Sequence, residues 1–232
     1  MFGNGGLLKM LRPILYSSWH SSCSSRVRIA LALKKIDYDY HAINLRDTES
    51  EKDFAANNPA KKVPILKIND LTLTESMAII EYLDEVFPEP PLLPKDPAQK
   101  AHARAIAFHI TSNIQPLQNL AIGKMLDEKI PGYGLEWCQF HIKKGFDALE
   151  KLLGLYSGTF CVGNQITIAD IVLPSIVYNA MEKYSVDMTP YPKIAEINKK
   201  LAEIPEFQTA EPARQPDAPK DQKNWGENLG FK

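Results

Sequence analysis

Cysteine is scarce in this chain. Cys23, Cys138 and Cys161 lie far apart, with neither C-x-x-C spacing nor the even number that a disulfide framework needs. That excludes a disulfide-stapled secreted domain and points to a reducing compartment, with the cytosol as the default. Long apolar runs are missing as well. The leader, residues 1–12, carries only short apolar pieces broken between Gly3 and Gly6, which excludes a signal peptide or a membrane span and leaves a mitochondrial address as the alternative. Charge of one sign is not in excess: 27 Lys and Arg face 28 Asp and Glu, so no overall field selects nucleic acid or an anionic membrane surface. Metal-ligand spacing is also lacking, because His102 and His109 stand seven apart on one helical face with no further ligand in step; no metal is expected. No internal repeat is present.

An apolar content of 44% over 232 residues is enough for a sizeable core, and two modest domains suit this length. After Pro13, Ile14-Leu15-Tyr16 reads as a short buried strand, followed by a polar loop over residues 17–24. SRVRIALALK, residues 25–34, is rich in helix formers, with apolar residues nearly all round, as burial on two sides requires. Residues 38–45 alternate as a second strand, and strand, helix, strand in so short a span implies a right-handed parallel crossover. Residues 51–58 are helical or loop. Val63-Pro64 then leads into strand 65–68, an Asn69-Asp70 turn and Leu71-Thr72-Leu73, a β-hairpin. Ser76 opens a helix over residues 77–86, with apolar residues at helical spacing.

Pro88, Pro90, Pro91, Pro94 and Pro97 then crowd a stretch that favours an extended connection. The predicted organisation is therefore a leader (1–12), an α/β domain (13–87), a Pro-rich linker (88–97), an all-α domain (98–210) with helices over 98–126, 135–155, 168–184 and 194–204, and a polar tail (211–232) that covers the surface or is disordered. Thr167 and Asp170 form a variant capping box whose role is folding.

Three places could carry chemistry. Ser21-Ser22-Cys23-Ser24, just before a buried helix, offers hydroxyls, a thiol and backbone N–H groups at the positive end of the helix dipole, where a thiolate is stabilised; it could be that of Cys23 or of a bound cofactor. Val63, before a proline compatible with a cis peptide, could pair with an added peptide strand. Glu75-Ser76 presents a carboxylate to an ammonium, and a hydroxyl with helix-start amides to a carboxylate. Taken singly, each has a plainer reading: an N-cap in which Ser24 bonds the first amides, an edge proline, and a cap beside a solvated acid. Together they fit the thiol, peptide backbone and γ-glutamyl zwitterion of one tripeptide, glutathione.

SSCSSRVRIALALK (residues 21–34), NPAKKVP (58–64) and ESMAIIEYLDE (75–85) resemble the zeta class of glutathione transferases, and the likeness continues in LLPKDP (92–97), IQPLQNL (114–120), VGNQITIAD (162–170) and TPYP (189–192). It implies a thioredoxin-like N-terminal domain, an all-α C-terminal domain, a homodimer, and glutathione-dependent isomerisation of maleylacetoacetate in phenylalanine and tyrosine breakdown. It also implies that Ser21, Ser22 and Cys23 surround the glutathione sulfur, Ser21 polarising it and Cys23 helping to place substrate. The cofactor site extends through Ser24, Ser25, Arg26, Val63, Glu75, Ser76, Gln115, Asn119, Leu120 and Ala121. Gln115 and Asn119, four apart, share a helix face beside Pro116 on this reading.

Two positions depart from the family pattern. Ser25 replaces a usual tryptophan, and Lys183 stands nearest to a usual arginine that clamps substrate carboxylate, giving a point charge in place of a planar fork. Residues 45–53 are also shorter than usual. Three other readings stay open: a conjugating transferase for small electrophiles such as α-haloacids, a glutathione-fold protein that binds without catalysis, and Cys23 as a redox nucleophile, the last weakened by the missing resolving cysteine.

Overall fold

A computed structural model describes residues 11–45, 54, 56 and 58–220 of the chain. The readings made for residues 1–10, for most of 46–57 and for 221–232 lie outside the described residues. Two compact units divide the chain after Phe87, and Ala210–Ala218 returns to the first.

In the first unit, β1 (Ile14–Ser17), α1 (Ser22–Leu33) and β2 (Asp39–Ala42) form a parallel crossover, with Ile14 opposite Asp39 and Ser17 opposite Ala42. β3 (Ile65–Ile68) pairs antiparallel with β1, and β4 (Leu71–Leu73) antiparallel with β3, giving the order β2-β1-β3-β4. Helix α2 (Ser76–Val86) follows and packs on α1. The expected βαβ-ββα unit is thus formed. Because successive strand residues face opposite ways, Leu15 and Tyr16 serve two buried layers, and Tyr16 sits in a cluster with Ile43, Phe54, Val63 and Ile65. The all-round apolar pattern of α1 is explained by burial of Val27, Ile29, Ala30, Leu31 and Leu33 together with both of its arginines.

Lys34, at the C-terminal end of α1, closes the far side of this unit. Its ammonium donates to Asp84 Oδ1 at 2.6 Å and to the Phe87 carbonyl at 2.6 Å, placing a cation at the negative end of α2. Lys34→Met leaves both acceptors without it and lowers the stability of the protein by about 2 kcal/mol, to be read from denaturant unfolding.

The second unit is all helix: α3 (Pro97–Phe108), α4 (Leu120–Asp127), α5 (Tyr133–Tyr156), α6 (Ile168–Tyr178), α7 (Pro192–Ala202) and the short α8 (Pro205–Thr209). Two π-helical turns, His109–Ile114 and Asn179–Lys183, extend α3 and α6. The helix expected over 98–126 is not continuous. After the π turn the chain leaves helical geometry and restarts at Asn119, whose φ of −66° and ψ of 132° are extended; Pro116 has no N–H to carry the ladder onward. α5 crosses α4 at Gly134, where a Cβ would stand 2.2 Å from the Gly123 carbonyl oxygen, closer than any side chain permits.

Asp170 is fully buried at the start of α6. Its carboxylate accepts from the Cys161 N–H (2.8 Å), the Thr167 N–H (2.8 Å) and the Thr167 hydroxyl (2.9 Å), while Thr167 Oγ1 accepts from Ala169 N–H (3.2 Å). The capping box is as expected, with an added bond that ties the Cys161 loop to the helix. Burial pushes the Asp170 carboxyl above its ordinary range, and these bonds pull it back. His102 stacks on Tyr156, and His109 Nε2 lies 2.9 Å from the Gly145 carbonyl, so both imidazoles have packing roles.

Candidate active site

Strand direction gathers the first unit's candidate residues. β1 runs toward one end of the sheet, β3 runs away from it and β4 returns, with Tyr16 opposite Ile65 and Leu66 opposite Leu73. The loop to Ser21, the Val63-Pro64 step and the Glu75-Ser76 step therefore all leave or enter the sheet at the same end.

At that end the helix begins earlier than the sequence suggested. Ser21, with φ −77° and ψ 118°, is the N-cap of α1, and its Oγ accepts from Ser24 N–H at 3.2 Å while its carbonyl accepts from Ser25 N–H at 2.9 Å. Ser22, Cys23 and Ser24 are thus the first helical turn and not a loop, and Ser24 is not the cap. A run of serines has no apolar period, so only the capping bond marks where the helix starts. Because Ser21 Oγ acts as an acceptor toward the helix, its O–H is left to donate to an anion at the helix start. Cys23 is half-buried. Ser24 and Ser25 are buried, so their side chains face the fold; no bond of the Ser24 hydroxyl is found among the described residues.

Arg26, further along α1, is buried. Burial pulls its pKa below the ordinary arginine value, and the nearby Cys23 and Glu75 hold it up. Val63 precedes a cis peptide at the head of β3, and no hydrogen bond joins its amide or carbonyl to other described residues. Glu75 is exposed and takes the N-cap position of α2 with φ +64°, while Ser76, expected as the cap, is the first helical residue and is buried. The helix-start amides lie here as expected, one residue earlier.

Gln115, Asn119, Leu120, Ala121 and Lys183 belong to the second unit. Gln115 ends the first π turn, its N–H donating to the Ile110 carbonyl at 3.0 Å. Asn119 is the N-cap of α4, its Oδ1 accepting from Ala121 N–H at 2.9 Å, and Leu120 opens the helix. Gln115 and Asn119 do not share a helix face, because the helix expected to join them is interrupted. Lys183 is the last residue of the second π turn.

Sequence reasoning passed over Arg28. It is 1% exposed, and its five N–H donors reach the Ser17 hydroxyl (3.1 Å), the carbonyls of Ser18 (3.3 Å) and Trp19 (3.2 Å), and the Ala210 carbonyl twice (3.1 and 3.4 Å). The signal was present in SRVRIALALK: a charge on a helix apolar all round must be buried with partners.

Residues 13–85 match the family described as Glutathione S-transferase, N-terminal domain, and residues 135–209 match Glutathione S-transferase, C-terminal domain. A probable maleylacetoacetate isomerase of Caenorhabditis elegans is 47% identical over 206 residues, covering 89% of this chain and 96% of the relative. Among solved structures, maleylacetoacetate isomerase from Anaeromyxobacter dehalogenans, with glutathione bound in its active site, superposes with a TM-score of 0.83 at 41% identity over 90% of this chain and 99% of that one. A bacterial maleylpyruvate isomerase described as a zeta-class glutathione transferase gives 0.84 at 38% identity, with 89% and 100% covered. With a glutathione transferase fold, a Ser-Cys helix start and near-full-length likeness to these proteins, the chain belongs to the zeta class of glutathione transferases, the maleylacetoacetate isomerase family.

Proposed function

We propose that the protein catalyses the glutathione-dependent cis-trans isomerisation of maleylacetoacetate to fumarylacetoacetate, a step of phenylalanine and tyrosine breakdown, with side activity as a glutathione transferase. The observation that carries this reading is the meeting of Ser21 and Cys23, Val63, and Glu75-Ser76 at one end of one sheet. Each suits one part of glutathione: the hydroxyl and helix start the sulfur, the Val63 main chain, which no other described residue pairs, the peptide, and Glu75 with the start of α2 the γ-glutamyl ammonium and carboxylate. When bound, glutathione supplies a thiolate that adds to the electron-poor cis double bond and leaves after rotation, so the tripeptide is not consumed. Ser21 donates its O–H to the sulfur, and the α1 dipole favours the anion. Cys23, within the first turn of α1, helps to place the substrate, and Lys183 offers a cation to its carboxylate.

The resemblance and the cysteine pattern support a cytosolic homodimer. The same thiolate would serve conjugation to small electrophiles such as α-haloacids. The test is an isomerase assay with maleylacetoacetate, with and without glutathione; absence of a glutathione-dependent rate overturns the reading, and turnover of α-haloacids alone moves it to the conjugating transferase. Lys183→Ala is expected to raise KM for maleylacetoacetate about tenfold while leaving KM for glutathione unchanged, as loss of one charge contact implies.

A further inference from the structure

The segment Ala210–Ala218 packs with the first unit and touches it through two polar anchors. Asp217 accepts from Trp19 N–H through Oδ2 (3.0 Å) and from the Tyr40 hydroxyl through Oδ1 (2.7 Å). The Ala210 carbonyl accepts from Arg28, whose remaining donors hold Ser17, Ser18 and Trp19. The Ser18 carbonyl is shared: it accepts from Arg28 and also from Ser21 N–H at 3.1 Å. A continuous path of hydrogen bonds therefore runs from Ala210 through Arg28 and Ser18 to the backbone of Ser21, and a second runs from Tyr40 through Asp217 to Trp19. Ser17, Ser18 and Trp19 are all buried, so the loop before Ser21 has no solvent to replace a lost partner.

We propose that Arg28 and Asp217 are positioning residues for the thiol site: Ala210–Ala218 holds the loop of residues 17–20, and through it the Ser21 cap, where a thiolate is stabilised. The assignment rests on the isomerase reading for what is positioned. It assigns to residues near the end of the sequence a share in chemistry carried out near its beginning. Small displacements suffice for such an effect, since about 1 Å of misplacement can cost on the order of a hundredfold in rate.

The test compares Asp217→Ala, Asp217→Asn and the milder Tyr40→Phe with the wild type. Two quantities are measured on protein shown to be folded by circular dichroism: the pKa of the glutathione thiol in the binary complex, from thiolate absorbance against pH, and amide hydrogen exchange over residues 17–24 without glutathione. Asp217→Ala is expected to raise the bound thiol pKa by about one pH unit, to speed exchange in that segment and to lower kcat/KM for glutathione about tenfold. Asp217→Asn keeps one acceptor for two donors and falls between, and Tyr40→Phe shifts exchange least. A merely structural role would lower the unfolding midpoint and leave the folded complex's thiol pKa unchanged, and that result overturns the proposal. Should Asp217→Ala not fold, Tyr40→Phe and Asp217→Asn decide by the same readouts. A wild type that binds no glutathione thiolate overturns the isomerase reading and this proposal with it, whereas a wild type that does, with unchanged variants, overturns this proposal alone.

Discussion

Ser21→Ala is expected to lower glutathione-dependent turnover by about two to three orders of magnitude, the usual cost of removing a donor aimed at a catalytic anion. The same change removes the acceptor for Ser24 N–H at the start of α1, so stability also falls, by about 1 kcal/mol. The two losses can be separated because Ser21 Oγ accepts from the helix, while the O–H is the donor proposed for the thiolate. Ser21→Asp keeps an acceptor for the helix but sets a negative charge where a thiolate must form, so it restores the unfolding midpoint and not the rate. Ser21→Thr keeps both functions and recovers most of each. Denaturant unfolding beside initial rates at saturating glutathione tests the set; equal rates in wild type and Ser21→Ala would remove Ser21 from the chemistry.

The largest loss of stability is expected at Asp170→Ala, about 4 kcal/mol. The carboxylate takes three hydrogen bonds in a site with no access to water, and its removal strands the Cys161 and Thr167 amides and the Thr167 hydroxyl together with a cavity. Asp170→Asn refills the space but turns an amide donor toward donors, so it recovers only part. Thermal unfolding is the measurement, with a decrease of roughly 10 °C expected for a chain of this size.

Much of this fold is legible in sequence because its elements are local and strongly patterned. Ile14 to Tyr16, the apolar surround of α1, the hairpin turn at Asn69-Asp70 and the Thr167-x-x-Asp170 cap each follow from neighbours within a few residues. Helix termini were less legible. The serine run 21–25 has no hydrophobic period, and Ser76 looks like a cap although Glu75 takes that place at φ +64°. The break between Gln115 and Asn119 was signalled by Pro116, but a kinked helix and a restarted one look alike until the extended backbone of Asn119 is seen. Trp19, Tyr40 and Asp217 carry no sequence signal of their meeting, because nothing local relates residues 198 positions apart.

The Arg28 clamp also fixes an order of events during folding. β1, α1 and β2 can pair as soon as they exist, and β3 joins within the next few dozen residues, so the sheet is an early product. Two of Arg28's five hydrogen bonds go to a carbonyl 182 positions later. A buried cation thus waits, incompletely paired, while the whole helical unit is synthesised. Since domains tend to fold in sequence as a chain emerges, the first unit forms early but matures last. A newly made chain would have its sheet and its Ser-Cys helix start well before Arg28 has its last partner.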